Sequence, residues 1–466
     1  MVVHDSRWIR DSVVEAPITV ALSSSTLTLR DAVSGKTIPA VSDGKILRFL
    51  APAVPSLGYR TYSIETAAAG DSADLKIDAA AGILENRFLR VTLDPKRGTI
   101  ASIVDKQTNR ELVDATSPYG FGQYLYERFT EEECQAYKKS YSISRNSVSL
   151  CKQQVPSAAQ QPHVAASPGN FTMTSDADRL TVSATMTAKP SGSIDHAVTL
   201  KVILHHDTPS LDLEWSVAGK RPDLHPEGGW FCLPANVKNP QFRLSRMGGV
   251  VDPARDIRRK SNLDLFCLDG GLTLQGDDQA GLGLCPLDSP LVSLGYPGLL
   301  RFSTDWTPRQ PVVFLNLFNN IWGCNFRQWV DGSWTSRVRV WPVQGQNLES
   351  TLMTPSRETR SPCLAAMVDA PAGRLPPEQS GICVSRKGVP ITAFGQNPDG
   401  DGILLRVWEQ AGISGVLTVT LPACAKFATA QPVNLRGEKA GNAVKIEGGQ
   451  FSFKLGHYEP ASFILE

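Results

Sequence analysis

Residues 86–106 read NRFLRVTLDPKRGTIASIVDK. Apolar and polar residues alternate through RFLRVTLD and again through TIASIVD, the period-two signature of strands with one buried face. Between the runs stands Asp94-Pro95-Lys96-Arg97-Gly98. Proline presets φ for a turn, and Gly98 can supply the left-handed residue that closes a bulged hairpin. The stretch predicts two antiparallel strands.

The same alternation extends outward in both directions. It recurs in PITVALSSSTLTLRD, SLGYRTYSIE, RLTVSATMTA, HAVTLKVILHHD, SLDLEWSV, VVFLNLF, TSRVRVWP, GVLTVTLP and QFSFKLG. The chain's 38 Gly and 32 Pro punctuate these runs, as short strands joined by turns require. No window of about 12 residues carries a clear 3.6-residue period. The best candidate, YERFTEEECQAYKKSY over Tyr126 to Tyr141, has an acidic start and a basic end that suit a short helix or a charged loop. A catalytic barrel of alternating strands and helices would need amphipathic helices after its strands. Chemistry in an all-β chain must instead come from loops on sandwiches.

Two breaks in composition suggest three domains. A small sandwich over 2–66 ends at the Ala/Gly/Asp-rich SIETAAAGDSADLK. A large two-sheet sandwich spans 80–368, and a small sandwich over 376–466 follows DAPAGRLPPEQSG. The polar insertion CKQQVPSAAQQPHVAASPGNFTMTSD, 151–176, reads as a surface loop.

Lys+Arg is 47 against Asp+Glu 46, so the chain lacks the basic excess that nucleic acid or an anionic membrane attracts. A neutral polyol needs no such bias. The nine cysteines are dispersed without a CxxC pair, which suggests reduced thiols. MVVHDSRWIRDSVVEAP has charges throughout and does not read as a secretory signal; the expectation is a cytoplasmic protein. No run approaches the roughly 18 apolar residues of a membrane span.

With its flanks, the opening stretch, ILENRFLRVTLDPKRGTIASIVDKQTNRELVD, resembles the start of the large β-sandwich of glycoside hydrolase family 38, the α-mannosidases. VHDSRWIRDSVVEAPI is similar to the start of the family's small sandwich: Trp8 and Arg10 match, although an expected Asn-Pro is replaced. Further likeness lies in WFCLPANVKNPQFRLSRMGGVVDPARD, GLGLCPLDSPLVSLG, FNNIWGCNFRQWVDGSWTSRVRVWP and LLRVWEQAGISGVLTVTLP, in the family's order. The resemblance implies an all-β architecture: a large galactose-mutarotase-like supersandwich flanked by two small β-sandwich domains. In the family these follow a catalytic barrel and a helical bundle. The barrel holds zinc, a nucleophilic aspartate and an acid/base carboxylate, and it hydrolyses α-mannosides with retention. Such chemistry needs two carboxylates about 5–5.5 Å apart. The chain begins where those elements would have ended, so the expectation is an inactive sandwich portion that packs on the barrel and borders a carbohydrate pocket, with homo-oligomerisation left open. A stand-alone carbohydrate-binding protein and a mutarotase-like epimerase are the alternatives.

Several residues could carry chemistry. His205 and Asp207 share a face of an extended strand and could chelate a metal, although HHDTP also reads as a strand end and a turn. His225 and Glu227, before Gly228-Gly229-Trp230, could supply an acid and a base, or form a loop at a strand entrance. Asn319, Asn320, Trp322 and Asn325 combine amides with aromatics, the composition of a sugar-facing loop and equally of a satisfied turn. Tyr124 and Tyr126 lie on one strand face with Arg128 two residues further on. The resemblance places tyrosines of this region near a substrate pocket, while alternation alone makes them a packed face. Trp230 completes the sugar-binding candidates. Asp264 and Asp269, and the pair Arg406 and Glu409, read as structural.

Overall fold

The structure, a computed structural model, describes all residues except 4–7, 19–25, 66–73, 142–162, 324–326, 369–372 and 374. The expected all-β class is the class observed. Helix is confined, among the described residues, to Glu131–Tyr141 and to a π turn, Glu349–Met353, that continues as the α-helix Thr354–Arg360. The charged segment thus settles as a helix, for a local reason. Thr130 Oγ1 accepts the Glu133 backbone N–H while the Glu133 carboxylate accepts the Thr130 N–H at 2.8 Å, a reciprocal capping box. Three glutamates in the first turn and Lys138 and Lys139 in the last complement the helix dipole.

The opening hairpin forms as its sequence predicts. Leu89–Asp94 pairs antiparallel with Thr99–Asp105, with a register shift between Thr92 and Leu93. Gly98 has φ +63°, and a Cβ there would overlap the Phe171 ring, so both backbone and space demand glycine. The insertion differs from the expected loop: Val164–Ala166 and Thr172–Ala177 are edge strands, because even polar residues can complete a sheet's hydrogen bonds at its rim.

The chain divides into two compact units: Ala73–Arg246 with Val251–Gln346, and Met1–Ser72 with Met247–Val250 and Asn347–Glu466. In the first, one long sheet runs in hydrogen-bonded order Thr172–Ala177, Thr181–Ala188, Ala197–His205, Leu211–Lys220, Gly332–Gln344, Ala280–Pro286, Leu272–Gln275, Gln241–Arg246. A second runs Val164–Ala166, Gln123–Arg128, Glu227–Pro234, Val312–Asn319, Leu291–Leu294, Phe266–Cys267. The hairpin belongs to a third. Alternate residues of Ala197–His205 and Leu211–Lys220, among them Val202, Leu204, Leu213 and Trp215, meet Tyr124, Phe231, Leu233, Val313 and Leu315 in one core. Burial of each large side chain contributes roughly 1.5–3 kcal/mol. The second sheet is covered on its other face too, where Leu125, Trp230, Cys232 and Phe314 form a separate cluster. Glu227–Pro234 is buried at every position in consequence.

The other unit takes in both ends of the chain. Val2–Val3 pairs with Leu364–Ala365 and Tyr59–Arg60 with Glu378–Gln379. The two matched motif residues lie at this junction: Trp8 Nε1 donates to the Glu358 carboxylate at 2.7 Å, and Arg10 Nη1 donates to the Glu358 carbonyl at 3.2 Å. The stretch from Asn347 therefore packs with the terminal segments, although its sequence offers no break from the strands before it.

Among the described residues six cysteines stand outside disulfides, but Cys134, on the Glu131–Tyr141 helix, is disulfide-bonded. This corrects the expectation of reduced thiols throughout, since dispersal in sequence does not measure distance in the fold.

Asn86, at the head of the hairpin, is fully buried with all four side-chain hydrogen-bonding positions filled. Its Nδ2 donates to the carbonyls of His205 and Thr208 at 2.9 and 3.0 Å, and its Oδ1 accepts the N–H groups of Phe88 and Leu89 at 2.9 and 2.7 Å. Asn86→Ala strands these buried partners and should lower unfolding stability by about 2–4 kcal/mol, measured by urea denaturation. A loss below about 0.5 kcal/mol would show that water replaces the amide.

Candidate functional site

Three adjacent strands of the second sheet bring the candidates together. Glu227 opens Glu227–Pro234 opposite Arg128, and Asn319 lies opposite Gly228. Lys220 closes Leu211–Lys220 of the facing sheet. Loop 221–226 carries the chain from one sheet to the other, so Lys220 and Glu227 meet at the crossing.

Their ion pair measures 2.6 Å, with side chains 1% and 0% exposed. Glu227 Oε1 takes the lysine and Oε2 accepts the Tyr126 hydroxyl at 2.8 Å, while the Glu227 N–H donates to Asn320 Oδ1 at 2.6 Å. Asn320 Nδ2 donates to the carbonyls of Asp223 and His225, both at 3.2 Å. Asp223 in turn accepts His225 Nδ1 at 2.8 Å and faces Arg128 at 3.5 Å. Burial pushes the Glu227 carboxyl up, against the opposing effect of Lys220. Burial would also push Asp223 up, but the hydrogen bonds from His225 outweigh it and hold Asp223 below the usual range.

Beside this cluster lies a relay that sequence reading did not single out. His196 shares a hydrogen bond with the Tyr124 hydroxyl at 2.9 Å and another with Asp195 at 2.8 Å. Burial lowers the His196 pKa, which favours neutral imidazole. Nothing marks it in sequence except that HAVTLKVILHHD begins with a polar residue on the buried face of a strand. Glu127 was also missed, because it alternates out of phase with the two tyrosines. It accepts Trp230 Nε1 at 2.7 Å, and burial raises its pKa to about 7.

Tyr124, Tyr126, Trp230 and Asn320 are thus brought into one region, but buried, with their polar atoms turned to protein partners. Asn319 donates to Asn316 Oδ1 at 2.7 Å, and Trp322 is partly buried against the Trp230 cluster. Asn325 lies outside the described residues. His205 and Asp207 do not converge: His205 pairs with Asp212, which is also forked by Arg339, and Asp207 pairs with Arg87 from a left-handed backbone position. Among the described residues, no three His, Cys, Asp or Glu side chains are grouped to hold a metal. Asp264 accepts the Tyr296 hydroxyl and the Ser303 N–H, and Asp269 accepts Ser245 Oγ. Arg406 donates to Ser462, and Glu409 accepts the N–H groups of Ala411, Gly412 and Tyr458. Arg406 and Glu409 are thus held by separate structural partners.

Residues 84–227 match the model of the glycosyl hydrolases family 38 C-terminal domain, and 388–463 match that of the family 38 C-terminal beta sandwich domain. Both matched models describe C-terminal domains of glycosyl hydrolase family 38, and they fall on the chain in order. An alpha-mannosidase from Enterococcus faecalis has the same fold over 100% of this chain and 55% of its own, with TM-score 0.68 and 10% identity. A glycosyl hydrolase family 38 protein from Enterococcus faecalis matches 100% of this chain and 57% of its own, with TM-score 0.68 and 11% identity. The chain thus spans little more than half the length of these structures. A galactose mutarotase-like protein from Clostridium acetobutylicum aligns with 58% of this chain and 98% of its own, at TM-score 0.34 and 8% identity. No curated protein matches the sequence.

Two predictions test these environments. Lys220→Met leaves a buried carboxylate without its counter-ion and should cost about 3–5 kcal/mol at pH 7, whereas Lys220→Met with Glu227→Leu should recover most of that loss. Equal instability of the single and double variants in urea would refute the pairing argument. For Glu127, the folded pKa of about 7 exceeds the ordinary 4.5, so its contribution to stability is full below pH 4.5 and is lost as pH rises through 7. That gap corresponds to about 3 kcal/mol. Glu127→Gln should therefore flatten the decline in stability between pH 4.5 and 7.5, read from denaturation midpoints; an unchanged slope would assign it to other groups.

Proposed function

We propose that this chain is the non-catalytic β-sandwich portion of an α-mannosidase-like retaining glycoside hydrolase, packing on a catalytic barrel and bordering its sugar pocket. The supporting observation is that the chain matches in fold, over its full length, about half of an alpha-mannosidase. Two models of family 38 C-terminal domains fall on it in order. Zinc, the nucleophile and the acid/base carboxylate would belong to the barrel. His205 and Asp207 are occupied by Asp212 and Arg87, and that arrangement does not fit a metal site. A mutarotase-like role would need Glu227 to reach a sugar, but its carboxylate is buried against Lys220 and Tyr126.

The experiment is turnover of a chromogenic α-mannoside by the purified chain, metal-stripped and then supplied with zinc, alone and mixed with a separately produced family 38 barrel. The chain alone should give no hydrolysis above background in either state, and it should co-elute with the barrel. Zinc-dependent turnover by the chain alone would overturn the proposal.

A further inference from the structure

The larger unit also carries a cleft that the reading above does not use. It lies over the segment from Gly295 to Gln310, is half open to solvent and offers about 500 Å³. Tyr296 and Trp306 form an aromatic corner, with ring centres 4.6 Å apart and planes at 69°. Both rings are fixed from below. The Tyr296 hydroxyl donates to Asp264, a buried carboxylate that also accepts the Ser303 N–H at 2.5 Å. The Arg301 guanidinium stacks 3.9 Å from the Tyr296 ring centre. Trp306 rests on Gly295, where a Cβ would come within 3.3 Å of the indole and where φ is +82°.

The loop between the two rings is held as well. Backbone N–H groups of Lys260 and Leu263 donate to Thr304 and Ser303 at 3.0 and 3.1 Å, and Arg259 reaches Asp305 at 3.3 Å. Asp305, Arg309 and Gln310 stand exposed around this corner and line the cleft. The lining therefore couples a preorganised aromatic surface with a guanidinium, an amide and a carboxylate that Arg259 also contacts. A pyranose presents apolar C–H faces to aromatic rings and hydroxyls that both donate and accept, which this lining satisfies at once.

We propose that this cleft is a binding subsite for a neutral hexopyranose, with Trp306 and Tyr296 as the platform and Asp305 and Gln310 as hydroxyl partners. It requires only the larger unit and neither a barrel nor zinc, so it can fail independently of the hydrolase reading.

The test titrates the purified chain with methyl α-D-mannopyranoside and methyl α-D-glucopyranoside, followed by ligand-observed saturation-transfer NMR, with benzyl alcohol as an apolar control. At least one glycoside should bind saturably, with a dissociation constant on the order of 1 mM. Asp305→Ala and Gln310→Ala, both at exposed positions, should each weaken binding about five- to tenfold, the loss of one net hydrogen bond. Trp306→Ala should abolish binding; because that ring also packs against the core, its circular dichroism and Tm are recorded alongside, and the two surface variants stand without it. Absence of saturable binding by both glycosides, binding of benzyl alcohol alone, or undiminished glycoside binding in Asp305→Ala and Gln310→Ala would each overturn the proposal.

Discussion

The larger unit is organised around one buried contact, the ion pair between Lys220 and Glu227. These residues end one strand and begin another seven positions later in the facing sheet, so the chain crosses the sandwich with a charge on either side of the crossing. Such a pair gains little net stability, because the attraction must first offset the desolvation of both ions. Its stronger effect is on register. A shift of one residue in either strand would turn Lys220 or Glu227 away from its partner and leave a bare charge in an apolar core, an outcome costing several kcal/mol. The surrounding hydrogen bonds follow from this constraint. Tyr126 fills the second carboxylate oxygen, and Asn320 ties the Glu227 backbone to loop 221–226.

The glycines after Glu227 make that arrangement possible. A Cβ on Gly228 would run into Leu299, and one on Gly229 into the Phe318 ring. Side chains at either position would hold Leu299 or Phe318 off the strand just where the Asn320 turn must close on Glu227. The HPEGGW segment is therefore a packing solution: a polar residue satisfied at the crossing, then backbone thin enough for neighbours to cover both faces. Its resemblance to an acid–base pair arises because buried polar networks and active sites draw on the same residue types.

The same point explains what the sequence disclosed. Alternation fixes which face of a strand is buried, so the hairpin at 86–106 and the strands around Trp215 could be read directly. Capping residues are local, yet Thr130 and Glu133 sit at the start of a segment with weak apolar period, so the sequence allowed a helix or a loop and the reciprocal cap decided between them. Partner choice is not local. Whether Tyr126 turns to Glu227 or to solvent, and whether His205 turns to Asp212 or to Asp207, depends on strands distant in sequence. The packing of Asn347–Arg360 with the chain termini escaped for the same reason, since Trp8 and Glu358 are 350 residues apart.

The motif residues that carry the family likeness now have physical roles. Trp8 and Arg10 anchor a helix, Asn86 closes four hydrogen bonds, and Gly98 admits Phe171. Each is a position where one side chain, or none, satisfies a geometry the fold cannot change, so likeness through these residues reports the fold rather than a reaction. A ligand site in this unit has to be sought where such constraints leave side chains exposed over a rigid base. The segment around Tyr296 and Trp306 meets that condition: its buried side is fixed by Asp264, and its outer side presents Asp305 and Gln310. Buried satisfaction supplies the preorganisation, and the exposed remainder is what a ligand can read.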